Sequence, residues 1–133
     1  LADRVCSSSA SSLPRPRGRG DTTAVDDAIE KVRAGRGLLI FPEGTRSKTG
    51  EPGKLKSGAF VVASAAGVDM IPCRIIYRHG RMRLFSRVRV CFGKPIPAEA
   101  LYLGEHKSAA RLRQNKQLLL DAWQELYDAN RFE

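Results

Sequence analysis

An α/β fold is the class this sequence predicts, and three observations predict it. Residues 21–37, "DTTAVDDAIEKVRAGRG", place Val25, Ile29 and Val32 on one helical stripe. Directly after that stripe, "GLLIF" is a continuous apolar run bounded by Gly37 and Pro42, the pattern of a strand buried on both faces. Farther along, "MIPCRIIY" and "RVRVCFG" have strand character, and a long amphipathic segment closes the chain. At 133 residues the chain fits one domain that can bury a real core.

Taken in order, residues 1–20, "LADRVCSSSASSLPRPRGRG", combine a serine cluster with Pro and Arg and show neither a helix nor a strand period. They are expected to be a disordered or non-native N-terminal segment, with the ordered domain spanning 21–133. Thr23 and Asp26 have capping-box spacing at the start of the first helix, and Gly35 offers its stop. After the apolar run and a cationic loop, "SGAFVVASAAGV" reads as a short helix with Ser57 at its N-cap and Gly67 near its end. Small side chains there permit close packing. "RVRVCFG" alternates Arg with Val at a period of two, which predicts a strand whose Arg face is wet, and "RHGRMRLFS" before it reads as a turn, with a short strand within it as the alternative. From Ser108 to about Ala129 a long helix gathers Leu112, Leu119, Trp123 and Leu126 on one face, with Arg113, Lys116 and Asp128 among its polar positions.

Composition narrows the function. With 23 Lys and Arg against 14 Asp and Glu, the formal charge is +9, favouring an anionic partner such as phosphate, nucleic acid or an acidic lipid surface. Cys6, Cys73 and Cys91 form no C-x-x-C pair and have no His at ligand spacing, so neither a disulfide framework nor a metal site is indicated, and a reducing cytoplasm is expected. The longest stretch free of charge, Ser57 to Val68, falls short of the roughly 18 apolar residues of a spanning helix.

Chemistry concentrates in the loop after "GLLIF". A strand ending in Pro42 and Gly44 would deliver Glu43, Thr45 and Arg46 to a sheet edge, where α/β folds bind ligands. Arg46 offers a planar fork of donors for phosphate oxygens, Thr45 a hydroxyl, and Gly44 a close approach for backbone N–H groups. Lys56, abutting the "SGAF" helix start, extends the cationic site. Glu43 is electrically opposed to a phosphate, so it either orients Arg46 or receives a substrate hydroxyl. An ordinary solvated turn is the competing explanation. The P-loop pattern fails because Gly53 and Lys54 are followed by Leu55, and neither "GRG" copy completes a dinucleotide-binding motif.

"FPEGTRS" at 41–47, with "KLKSGAF" at 54–60 and "VDMIPCRI" at 68–75, resembles the second half of the 1-acylglycerol-3-phosphate (lysophosphatidate) acyltransferase family, over about Asp21 to Pro97. The resemblance implies a glycerol-phosphate acyltransferase-like fold, a mixed sheet flanked by helices, of which this chain is expected to be an incomplete, C-terminal portion. It also implies transfer of a fatty acyl group from acyl-CoA or acyl-carrier protein, as co-substrate and without a cofactor, to lysophosphatidate at the cytoplasmic face of a membrane. Glu43, Gly44, Thr45, Arg46 and Lys56 are then the substrate-binding residues, and the chain is expected to associate peripherally with an anionic membrane surface.

The family's hallmark, a His and an Asp separated by four residues, is missing. His79 has Leu84 at the required position and His106 has Arg111, so no catalytic residue is assigned and the isolated chain is expected to be nearly inactive. The Arg-rich stretch "RHGRMRLFSRVRV" could dock on anionic headgroups through charge alone, with no inserted apolar segment evident. A non-catalytic basic module for anionic lipid or nucleic acid is the alternative. Nucleic acid is not expected, because the arginines come without interleaved stacking aromatics.

Overall fold

The computed structural model describes residues 21–44 and 51–133. The first predicted helix is α1 (Asp21–Arg33), and Val25, Ile29 and Val32 are its partly buried stripe, packed on the next helix. It stops as the sequence predicts. Gly35 takes a left-handed φ of 84°, its N–H donates to the Val32 carbonyl at 3.0 Å, and the Arg36 N–H donates to the Lys31 carbonyl at 3.1 Å. Thr23 lies inside the helix rather than at its cap, so the capping-box reading is corrected: α1 begins two residues upstream of it.

A second correction concerns "GLLIF". These residues form no strand, and Leu39 and Phe41 are 72% and 67% exposed. A buried strand needs a ladder on its edges as well as apolar side chains, and the described strands pair only with each other. Helix α2 (Gly58–Ala66) follows, with Ala59, Phe60, Val62 and Ala63 buried. Ser57 sits at its N-cap as expected but makes no side-chain capping bond; its backbone carbonyl accepts from the Phe60 and Val61 N–H groups instead.

The sheet is an antiparallel hairpin of β1 (Cys73–Tyr77) and β2 (Val88–Phe92), with Ile75 opposite Val90 and Arg74 opposite Cys91. Helices with a small antiparallel sheet are compatible with the α/β class, but no mixed sheet forms among the described residues. A short helix, α3 (Ala98–Leu101), which the sequence reading did not anticipate, starts where Asp69 Oδ1 accepts the Ala98 N–H at 2.8 Å. Helix α4 (Ala109–Asn130) matches its predicted span, and its Ser108 cap accepts from the Arg111 N–H.

The core joins Phe60 and Ala63 of α2, Leu101 of α3, and Leu119 and Trp123 of α4, together with Leu55 and Ile96 from the connections. Asn115 is buried on the same α4 face and is satisfied by donating to the Leu101 carbonyl at 2.9 Å. Which hairpin face packs on α4 reverses the expectation of a wet Arg face. Arg74 donates to the Trp123 carbonyl at 2.7 Å and lies over the Tyr127 ring; Arg89 donates to the Asn130 carbonyl at 2.8 Å and lies over Phe132. The opposite face, with Ile75, Val88, Val90 and Phe92, is exposed. Guanidinium groups find carbonyls along the C-terminal half of α4 and aromatic faces beside them, a set of partners that valine cannot use.

Candidate functional site

The cationic loop begins with a tight turn. The Gly44 N–H donates to the Phe41 carbonyl at 3.0 Å, and Gly44 adopts a φ of 69°, a left-handed conformation that favours glycine. The return limb is fastened twice to this turn. Glu43 Oε2 accepts the Gly53 N–H at 2.8 Å, and the Lys56 N–H donates to the Pro42 carbonyl at 2.8 Å. Between Lys54 and Lys56, Leu55 is buried in the core, so the backbone carrying both lysines is anchored from below.

These fastenings bring three of the sequence-identified residues together. Lys56 runs across the open side of Gly44: a Cβ added there would stand 2.8 Å from its Nζ and 2.9 Å from its Cε. Glu43 is half-buried and Lys56 is exposed, so the ammonium is presented to solvent above a glycine backbone. Glu43 has a task that sequence reasoning did not assign. Its carboxylate closes the loop through the Gly53 amide, ten residues away, instead of standing free beside a phosphate. The signal that could have found it is Gly53 itself, where a Cβ would come within 3.2 Å of Glu43 Oε2. Since "GLLIF" forms no strand, the turn is not delivered by a sheet edge as expected; it is held by Leu55 and these backbone bonds. Thr45 and Arg46 lie outside the described residues.

Other chemistry is distributed away from this loop. His79 and His106 are exposed, in the turns after β1 and before α4. The Cys73 thiol is pushed above its ordinary value, first by burial and then by the charge of Cys91, so it is a poor nucleophile at neutral pH. A groove of about 640 Å³ opens between β1 and α4, lined by Glu51, Arg74, Tyr77, Gln117, Asp121 and Tyr127 among others. It does not include Glu43, Gly44 or Lys56, and Arg74 is already committed to α4. With carboxylates among its walls, it suits a phosphate less well than the lysine-topped turn. No group of His, Cys, Asp and Glu among the described residues has the arrangement of a metal site.

Comparison with known proteins bears directly on the turn, because the acyltransferase family profile matches residues 5–76, a range holding the whole loop and ending within β1. The chain belongs to the acyltransferase family. It is similar to the chloroplastic 1-acyl-sn-glycerol-3-phosphate acyltransferases of Brassica napus, 38% identical over 91 residues, and Arabidopsis thaliana, 34% identical over 97 residues. Each of these alignments covers 63% of this chain and 26% of the relative. A probable 1-acyl-sn-glycerol-3-phosphate acyltransferase of Mycoplasma pneumoniae is 40% identical over 77 residues, covering 58% of this chain and 29% of its own length. The chain therefore spans about a quarter of the length of the relatives it matches. No solved structure matches it. The match places the Phe41–Lys56 loop inside the part shared with the acyltransferase family, while α4 lies beyond it.

Proposed function

We propose that this chain supplies the acceptor phosphate-binding part of a 1-acylglycerol-3-phosphate acyltransferase. The observation that carries the reading is the fastened turn: Glu43 hydrogen-bonded by the Gly53 N–H, Gly44 left-handed, and Lys56 laid over it, all within a family-matched segment. Lys56 and Arg46 hold the acceptor phosphate, Thr45 adds a hydroxyl, and Glu43 keeps the loop closed. In the reaction the acceptor hydroxyl attacks the thioester carbonyl of acyl-CoA or acyl-carrier protein. A C–O bond forms, the C–S bond breaks, the thiolate leaves, and a general base takes the hydroxyl proton.

Neither His79 nor His106 has an Asp partner at family spacing, so the base belongs to a His-x4-Asp segment outside these 133 residues. On this reading 21–133 is the C-terminal part of an acyltransferase domain whose larger mixed sheet it helps to complete, and lysophosphatidate is the acceptor at the cytoplasmic face of a membrane.

Glycerol 3-phosphate titrated into the chain should bind weakly, and Arg46→Ala should weaken binding by about 1.5–3 kcal/mol, the range of a charge-assisted hydrogen bond. Gly44→Ala should weaken it as well, since the new methyl displaces the Lys56 ammonium. Equal binding by the wild type and both variants would refute the site. With acyl-CoA and lysophosphatidate, phosphatidate formation should be near zero for the chain alone and appear on fusion to a His-x4-Asp segment. Robust turnover of the chain alone that disappears in His79→Ala or His106→Ala would overturn the assignment of the base.

A further inference from the structure

The connection between β1 and β2 combines charge and exposed apolar surface in a way that neither the turn nor the core uses. Its base is closed by the Arg78 N–H donating to the Arg87 carbonyl at 3.1 Å. At the tip, the Ser86 N–H donates to the Arg83 carbonyl at 3.0 Å, a tight turn with Leu84 and Phe85 at its two central positions. Phe85 has a φ of 61°, the left-handed region that an aromatic residue rarely occupies, and it is 98% exposed. Leu84 is 87% exposed and Met82 is 73% exposed.

A single exposed apolar side chain is ordinary, but three at one tip, two of them the central residues of its turn, form an apolar wedge. Basic residues flank it in the chain on both sides. Arg78, Arg81, Arg83 and Arg87 are exposed, and no Asp or Glu occurs between Asp69 and Glu99. Arg74 and Arg89 are engaged on α4 carbonyls, so these four are the arginines left facing outward from the hairpin and its connection.

We infer that this hairpin tip is a membrane-insertion element: Met82, Leu84 and Phe85 enter the headgroup–acyl boundary of an anionic bilayer while the four arginines bind lipid phosphates around them. Anionic lipid is the occupant that answers both features at once, apolar side chains needing a non-aqueous phase and flanked by cations. An entirely electrostatic association, as expected from the sequence, leaves the wedge in water. The inference deepens the anionic-surface part of the proposed function, and its test omits lysophosphatidate so that acceptor binding and insertion fail separately.

The chain is incubated with vesicles of phosphatidylcholine, with and without phosphatidylglycerol, and sedimented across a range of salt. Binding should require phosphatidylglycerol, fall about fivefold for each of Arg81→Gln and Arg83→Gln, and fall about tenfold or more for each of Leu84→Ser and Phe85→Ser. These side chains are exposed, so the variants keep the fold. In F85W, fluorescence should shift to the blue with anionic vesicles and be quenched by lipids brominated near the headgroup end of the chain; the native Trp123 is buried in the core and supplies a constant background. Binding unchanged by Leu84→Ser and Phe85→Ser, or an F85W emission that stays at its aqueous position, would overturn insertion. So would competition by single-stranded oligonucleotide equal to that by anionic vesicles, or a vesicle-free dimer abolished by Phe85→Ser.

Discussion

The two faces of the β1–β2 hairpin have opposite fates from what their side chains imply. One presents Arg74, Ile76, Arg89 and Cys91 to α4; the other presents Ile75, Val88, Val90 and Phe92 to the outside. By hydrophobicity alone the order would be reversed. What decides it is the C-terminal half of α4 and the residues just after it, where the Trp123 and Asn130 carbonyls accept from guanidinium groups and Tyr127 and Phe132 offer ring faces at 4.6 and 4.3 Å from the guanidinium carbons. A long cationic side chain can cover apolar surface with its stem and still satisfy its head on backbone oxygen. Burial of a face thus depends on the partners waiting for it as well as on its own polarity.

That comparison can be broken or sharpened by mutation, measured as denaturant stability. The reference for a fully packed position is Phe60, which has no exposed surface; Phe60→Ala should cost about 3–5 kcal/mol, the usual loss for a buried aromatic. On the packed hairpin face, Arg74→Ala removes a charged hydrogen bond and a ring contact and should cost about 1.5–3 kcal/mol. Loss of Arg74 without effect would show that the hairpin docks through Ile76 alone. On the open face, Val90→Thr should change stability by no more than about 0.5 kcal/mol, because the side chain is 56% exposed. A larger loss there would mean that the open face is covered in solution.

The same contrast explains how far the site was legible. Gly44 and Lys56 could be nominated because a glycine and a cation beside a turn have a local chemical logic, and the structure puts them in contact. Glu43 could be nominated but not understood, since its partner is the Gly53 amide across the loop, a pairing no spacing rule specifies. The "GLLIF" run misled for a related reason. Apolarity makes a strand possible, but the ladder that makes it real comes from elsewhere, and the described residues offer none.

By itself the sequence determined the features that act within a turn or two of the chain. It set the Gly35 and Gly67 stops, where a residue without Cβ enters left-handed backbone and the helix carbonyls are closed by the next N–H groups, and it set the span and apolar face of α4. Only the tertiary structure decided that Arg74 reaches a carbonyl 49 residues away, that Asn115 is buried on Leu101, and that Leu84 and Phe85 are held outward at a turn tip. Local signals are set by the backbone conformations each residue allows, and these are written residue by residue. The choice between two faces is set by free energy differences among distant partners, and those exist only once the chain has brought the partners together.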